Sequence, residues 1–255
     1  MESKESLIKK NLSDYYKSKN KTLDLSNLNL KKIPHNIPSD VAFLFLGNNK
    51  ISRLENIKNL KNLKVLDISY NKLNDLDNIP DSYEISCRDN YLTNIDDLKK
   101  CKRLSKLDCS HNKIDNIPII ENLKILECSN NLIYKLPVLP SINKIITERN
   151  NLEYINTYKN LMYLNCKYNL IEKIDYQPNL LELYCDNNKL KKIKNLPNIN
   201  ILHCQKNKIK SLPFFDKLFE ILCDSKKMEK IGKKYNIVGA TEKNNILYLK
   251  FNPSI

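Results

Sequence analysis

The chain of 255 residues repeats itself. Aligned on the phrase L-x-[LC]-x-x-N-x-[LI]-x-x-[LI], eleven anchor residues appear: Leu23, Leu44, Leu66, Ile85, Leu107, Leu126, Ile145, Leu164, Leu183, Leu202 and Ile221. The steps between them are 21, 22, 19 and 22 residues, then 19 throughout. A period of this size indicates a stack of similar units, each too small to bury its own apolar side chains and each completed by its neighbours. Within one unit, Leu202, Cys204 and Ile209 read as the buried positions of a short strand, and parallel strands stack about 4.8 Å apart. The few residues between Pro213 and Ile221 leave no room for a proper helix, so the return segment is expected to be extended or turn-like. The 22-residue units have room for a single helical or 3-10 turn.

The phrase resembles the leucine-rich repeat, with its signature L-x-x-L-x-L-x-x-N/C-x-L. "FLFLGNNKISRL" and "LKVLDISYNKLNDL" match it almost position for position, and the resemblance covers residues 22–231. The 19-residue units, with "IP" or "LP" after the motif, are similar to the short repeats of bacterial effectors and of large DNA viruses. The resemblance implies a right-handed, β-rich repeat solenoid of the α/β horseshoe class. About eleven parallel β rungs would lie on a concave sheet, with a mostly extended or turn-like convex side. Residues 1–21 read as an N-terminal helical cap, offering Leu7, Ile8, Leu12, Tyr15 and Tyr16 to the open end of the core. Residues 232–255 read as a C-terminal cap in which "NNILYLKF" supplies a closing strand, and no linker marks a second domain.

Asparagine follows the anchor by five residues at Asn49, Asn71, Asn90, Asn112, Asn131, Asn150, Asn169, Asn188 and Asn207. Backbone turning away from a strand leaves amides and carbonyls without ladder partners, and an inward carboxamide can serve both. The series lapses only at Leu28 and Lys226, in the first and last units.

Seven of the eight cysteines (87, 109, 128, 166, 185, 204 and 223) stand two residues after an anchor, where other units have Leu25, Leu46, Ile68 or Thr147. Cys101 takes the slot that Leu60 fills elsewhere. One thiol per rung in a straight column cannot surround a metal tetrahedrally, nor present a disulfide dihedral near 90°. These positions are expected to pack as small hydrophobes. Nothing in the pattern calls for a metal or cofactor. "LDCSHN" brings Asp108, Ser110 and His111 together in sequence, but serine recurs at the same point in other units (Ser26, Ser69, Ser129), which makes Ser110 repeat filler rather than a nucleophile. No catalytic signature is present, and the expectation is a non-enzyme.

The formal charge is +14, yet the positions one and three after the anchor carry seven acids (Asp24, Asp67, Asp108, Glu127, Glu148, Asp186, Asp224) and two bases (Arg88, Lys167). Lysines cluster instead around the asparagine turns and at the ends. The expected activity is protein–protein interaction through the concave face, with a partner of basic or mixed surface. Phe45, Tyr163, Tyr184 and His203 are the candidate anchors, and Asp67, Asp108, Glu127 and Asp186 the steering carboxylates. Two other readings stand beside it. One is binding of nucleic acid or an anionic surface through the lysine-rich edge (Lys189, Lys191, Lys192) and the lysine-rich termini. The other is an adaptor or effector role in a ubiquitin-ligase or signalling complex, acting through partners. The first residues lack the apolar core of a secretory signal, no apolar run has transmembrane length, and eight cysteines suit a reducing compartment. An intracellular, cytoplasmic location is therefore expected, in the host for a viral or effector protein.

Overall fold

A computed structural model describes residues 3–194, 196–224, 237–243 and 246–251. Lys226, the second lapse of the asparagine series, lies outside them, as do residues 232–236, 244–245 and 252–255 of the C-terminal segment. The chain divides into two compact units, Met1–Leu123 and Lys124–Ile255.

The first unit opens with helix α1 (Lys4–Lys17). Ser3 caps it, its hydroxyl accepting from the Ser6 amide at 3.1 Å, which satisfies one of the helix's open N–H groups. Leu12 and Tyr15 are its buried residues, and Tyr15 donates to Asp40 at 2.6 Å. Tyr16 does not join them. It follows Tyr15 directly, so it projects about 100° further around the helix, and it is 71% exposed. Five parallel strands follow, one per repeat: β1 (Thr22–Asp24), β2 (Phe43–Phe45), β3 (Val65–Asp67), β4 (Glu84–Ser86) and β5 (Lys106–Asp108). Their registers place anchor on anchor, Leu23 beside Leu44, Leu66, Ile85 and then Leu107. The helical turn that a 22-residue step allows occurs at Asp96–Lys100, as a 3-10 turn.

The second unit repeats the arrangement in β6 (Ile125–Glu127), β7 (Lys144–Ile146), β9 (Tyr163–Asn165), β11 (Glu182–Tyr184), β12 (Ile201–His203) and β13 (Glu220–Asp224). Two further strands, β14 (Ile237–Lys243) and β15 (Ile246–Phe251), form an antiparallel pair, and β15 lies antiparallel to β13. On the return side, β8 (Tyr154–Ile155) and β10 (Lys173–Ile174) form a short parallel pair. Here two polar side chains, Tyr158 and Gln177, take slots that Leu139 and Leu196 fill in neighbouring repeats. Gln177 accepts from the Tyr158 amide and donates to the Asn156 carbonyl, and the Tyr158 hydroxyl donates to the Pro137 carbonyl. Their burial is thus accompanied by hydrogen bonds, as buried polar groups require.

From β2 to β12 the strands that carry an anchor share one alternation, with the anchor buried and its two neighbours half-exposed; in β1 the residue after the anchor, Asp24, is exposed. The asparagine series closes each turn. Asn169 Nδ2 donates to the carbonyls of Thr147, Cys166 and Lys167 at 2.9–3.1 Å, and its Oδ1 accepts from the Leu152 amide at 3.0 Å. Asn71 bonds in the same way to Leu46, Ile68, Ser69 and Ile51. Each carboxamide therefore ties its own turn to the preceding repeat.

The residue just before each ladder position has a left-handed backbone, φ 51–61°, at Asn27, Asn48, Tyr70, Asp89, His111, Asn130, Arg149, Tyr168, Asn187 and Lys206. Asparagine and aspartate accept this conformation readily, while tyrosine, arginine and lysine are strained there. The chain has only three glycines and uses none of them at this corner. A second asparagine series closes the entry to the strands: Asn160, Asn179 and Asn198 donate to the carbonyls of Pro140, Lys159 and Pro178.

Candidate interaction face

All eight cysteine thiols are buried, in the apolar slots expected of them. Burial pushes the thiols of Cys87, Cys166 and Cys185 well above the ordinary range, and that of Cys101 up to about 11. In this state a thiol is a poor nucleophile. Among the described residues, no group of three or more His, Cys, Asp or Glu side chains converges as metal ligands would.

"LDCSHN" resolves into a turn. Asp108 Oδ1 accepts from the Ser110 amide at 3.0 Å, and His111, at the left-handed corner, has Nδ1 3.8 Å from Asp89 Oδ1. The same device recurs in the first unit, where Asp24 accepts from the Ser26 amide, and Asp67 from both the amide and the hydroxyl of Ser69. Aspartate followed two residues later by serine ends a strand by offering its turn an acceptor. These carboxylates thus have a backbone role of their own. Phe45 stands in register between Asp24 and Asp67 on this face, and no other aromatic side chain is in ring contact with it among the described residues.

In the second unit the outward positions gather into a row. Tyr163 and Tyr184 have ring centroids 5.4 Å apart, and His203 meets Tyr184 edge-on at 4.7 Å. Lys144 Nζ lies 5.0 Å from the Tyr163 ring and Lys167 Nζ 5.1 Å from that of Tyr184, within cation–π range. The row is held from the sides. Tyr184 donates to Glu182 at 2.9 Å, His203 Nε2 lies 3.0 Å from Glu220 Oε1, and the Tyr248 hydroxyl of β15 donates to the other Glu220 oxygen at 3.1 Å. Burial and the Glu182 contact push the Tyr184 hydroxyl pKa upward, so it remains a donor at neutral pH. Glu127 is half-exposed on β6, beside Ile146.

Asp186 departs from expectation. It is 1% exposed and presents no carboxylate to a partner. Its position, three after the anchor, lies where the chain already bends inward. There Oδ1 accepts from the Gln205 amide at 3.0 Å and Oδ2 pairs with Lys167 at 3.2 Å. Burial raises its pKa, and Lys167 only partly offsets this.

The position just before each anchor also lines the face, because side chains alternate along a strand. Counting only the positions after the anchor misses Glu84, Lys106, Glu182 and Glu220. Glu84 and Lys106 form an ion pair across β4 and β5, and Glu182 and Glu220 hold the aromatic row. An open groove of about 580 Å³ lies along the strand-entry edge of the second unit, lined by Lys124, Ser141, Asn143, Asn160, Met162, Asn179, Leu181 and Asn198. Its lining contains neither histidine nor carboxylate beside Ser141.

Comparison with known proteins agrees with the geometry. A family model described as leucine-rich repeats (two copies) matches residues 41–81. No curated protein sequence matches the chain. Among solved structures, the functional domain of InlJ from Listeria monocytogenes, which includes a cysteine ladder, is similar at TM-score 0.63 and 20% identity. That match covers 90% of this chain and 65% of the InlJ domain, so this chain spans just under two thirds of it. The leucine-rich-repeat domain of APL1B matches at TM-score 0.64 and 19% identity, covering 84% of each chain. YopM, a leucine-rich effector protein from Yersinia pestis, matches at 0.61 and 21%, covering 86% of this chain and 76% of that one. Identities this low speak for the fold alone. Anchor-on-anchor rungs, an asparagine ladder that ties each turn to the one before, and these likenesses give each unit the leucine-rich-repeat fold.

Proposed function

We propose that the protein is a non-catalytic binding module that engages a protein partner through the exposed sheet face of its second unit. The leucine-rich-repeat fold is commonly a protein–protein interaction module. The observation that carries the finer reading is the row Tyr163–Tyr184–His203, whose rings are fixed by Glu182, Glu220 and two lysines before any partner arrives. Rigid aromatics lose little freedom on binding and dominate interface energetics. Glu127, half-exposed on β6, favours a partner carrying basic side chains among apolar ones.

The test compares affinity capture by the wild type, by Tyr184→Ala/His203→Ala, and by Tyr176→Ala, which alters an exposed tyrosine on the return side, just after β10. Proteins retained by the wild type and Tyr176→Ala are expected to be lost with the double variant. Equal retention by all three, with unchanged thermal unfolding, would overturn the reading.

A further inference from the structure

Between Asn187 and Phe215 the chain has seven lysines and not one aspartate or glutamate. The fold turns this stretch into a two-dimensional array. Lys189 and Lys208 follow their anchors by six residues and Lys191 and Lys210 by eight, so they form two columns on the loop edge beyond β11 and β12, with Lys206 at the corner just before them. Successive rungs are about 4.8 Å apart, and residues two apart on extended chain about 6.5 Å. Stacking continues through the loop, as the Asn187 amide donates to the Gln205 carbonyl and the Lys189 amide to that of Ile171. Among the described residues none of these lysine ammonium groups has a carboxylate within ion-pair distance, although the Lys206 backbone amide donates to Asp224. Within the two columns the intervening apolar residues Leu190, Ile193 and Ile209 are buried, while Phe214, further along the stretch, is exposed.

We propose that this edge is a second binding surface, distinct from the aromatic row, and that it takes the phosphodiester backbone of a single-stranded nucleic acid. Neighbouring rungs supply what a single strand needs besides charge. Tyr168 is exposed at the next corner, with the Arg149 guanidinium 4.6 Å from its ring, and Tyr134 lies exposed two rungs on, with Lys135 5.4 Å from its ring. Aromatic and cationic groups interleaved in this way form a stacking platform beside an electrostatic track. Glu153 and Glu172 stand exposed in one column between Tyr134 and Lys191, so the lysine columns end there and Tyr168 is the aromatic group that adjoins them. A bilayer would need apolar side chains to insert; the two lysine columns carry ammonium groups, and the exposed Leu132 and Leu170 stand on earlier rungs.

The test uses the full chain with fluorescent oligo-dT, a duplex of the same length, and phosphatidylserine vesicles as separate probes. The array variant is Lys189→Glu/Lys191→Glu/Lys208→Glu/Lys210→Glu. The control, Lys31→Glu/Lys58→Glu/Lys61→Glu/Lys72→Glu, makes the same change in net charge on exposed sites of the first unit. Wild type and control are expected to bind oligo-dT with affinity that falls steeply with salt. The array variant should bind at least about tenfold more weakly, with a log–log salt slope reduced by about 3 for four lost phosphate contacts. Tyr168→Ala should weaken binding roughly five- to tenfold. Absence of oligo-dT binding at low salt, or an equal loss in the control, overturns the proposal. So does duplex binding as tight as that of the single strand, an unchanged Tyr168→Ala, or vesicle binding that oligo-dT fails to displace. Capture by the aromatic row is measured on the same variants. Its retention in the array variant separates failure here from failure of the protein-binding reading.

Discussion

In the first unit the outward position after the anchor holds Asp24, Asp67 and Asp108, and each carboxylate bends back to accept from the amide two residues on. In the second unit the same position holds Tyr184 and His203, whose rings pack against each other, with side chains from adjoining strands holding both in place. Each face stands on the same kind of lattice of anchors and ladder asparagines. The lattice therefore sets where a side chain points, and the residue type sets whether it serves the chain or is left to meet a partner. An acid on a repeat face is not by itself a recognition feature. Its hydrogen-bond partners decide.

The largest effects should be common to both units. Asn71→Ala and Asn169→Ala each remove four hydrogen bonds and leave buried backbone groups without a partner, a loss of about 2–4 kcal/mol in urea unfolding. A large cost in one unit with a negligible one in the other would break the idea of a shared lattice. The next effect should separate the units. Tyr184→Ala is expected to weaken partner binding at least about tenfold, whereas Asp67→Ala should leave binding intact and lower stability by about 1 kcal/mol through its lost strand-end bonds. Asp67→Asn keeps an acceptor and should recover most of that stability.

Smaller effects sharpen the comparison. Tyr168→Gly relieves a strained left-handed corner and should lower stability less than an ordinary tyrosine-to-glycine change, or raise it by up to about 1 kcal/mol. Asn130→Gly, at an equivalent corner already suited to its residue, should change stability by only a few tenths. Asp186 supplies a pH test. Its pKa is raised in the folded state, so folding binds its proton more tightly, and its contribution to stability is lost as pH rises through the folded value. Asp186→Asn should therefore gain on the wild type as pH goes from below the ordinary carboxylate range to neutral. A gain in the opposite direction would show that Lys167 outweighs burial.

Much of this was legible in the repeat itself. The anchors, the buried cysteine slots and the asparagine ladder follow from period and residue type, because a stacked unit repeats its environment along with its phrase. The aromatic row was legible as a set of outward positions. What escaped was of another kind. Asp186 and Asp108 look alike in a column count, yet Asp186 is buried against Lys167 and Gln205, and nothing local to the residue announces it. Glu182 and Glu220 were recoverable from strand alternation, since the residue before an anchor shares the face of the residue after it. The Asp-x-Ser turns were also visible as a recurring pair, once the pair is read as backbone chemistry instead of as surface charge. The left-handed corners filled by tyrosine, arginine and lysine had no such signal, because residue preference alone argues against them.

The most direct test places a photo-activated crosslinking residue at position 184 in one chain and at position 176 in another, each illuminated in extract and analysed by mass spectrometry. A defined polypeptide crosslinked from 184 and absent from 176 is the expected result. The same products from both positions, or none from 184 while 176 yields one, would contradict a binding face built on the Tyr163–Tyr184–His203 row.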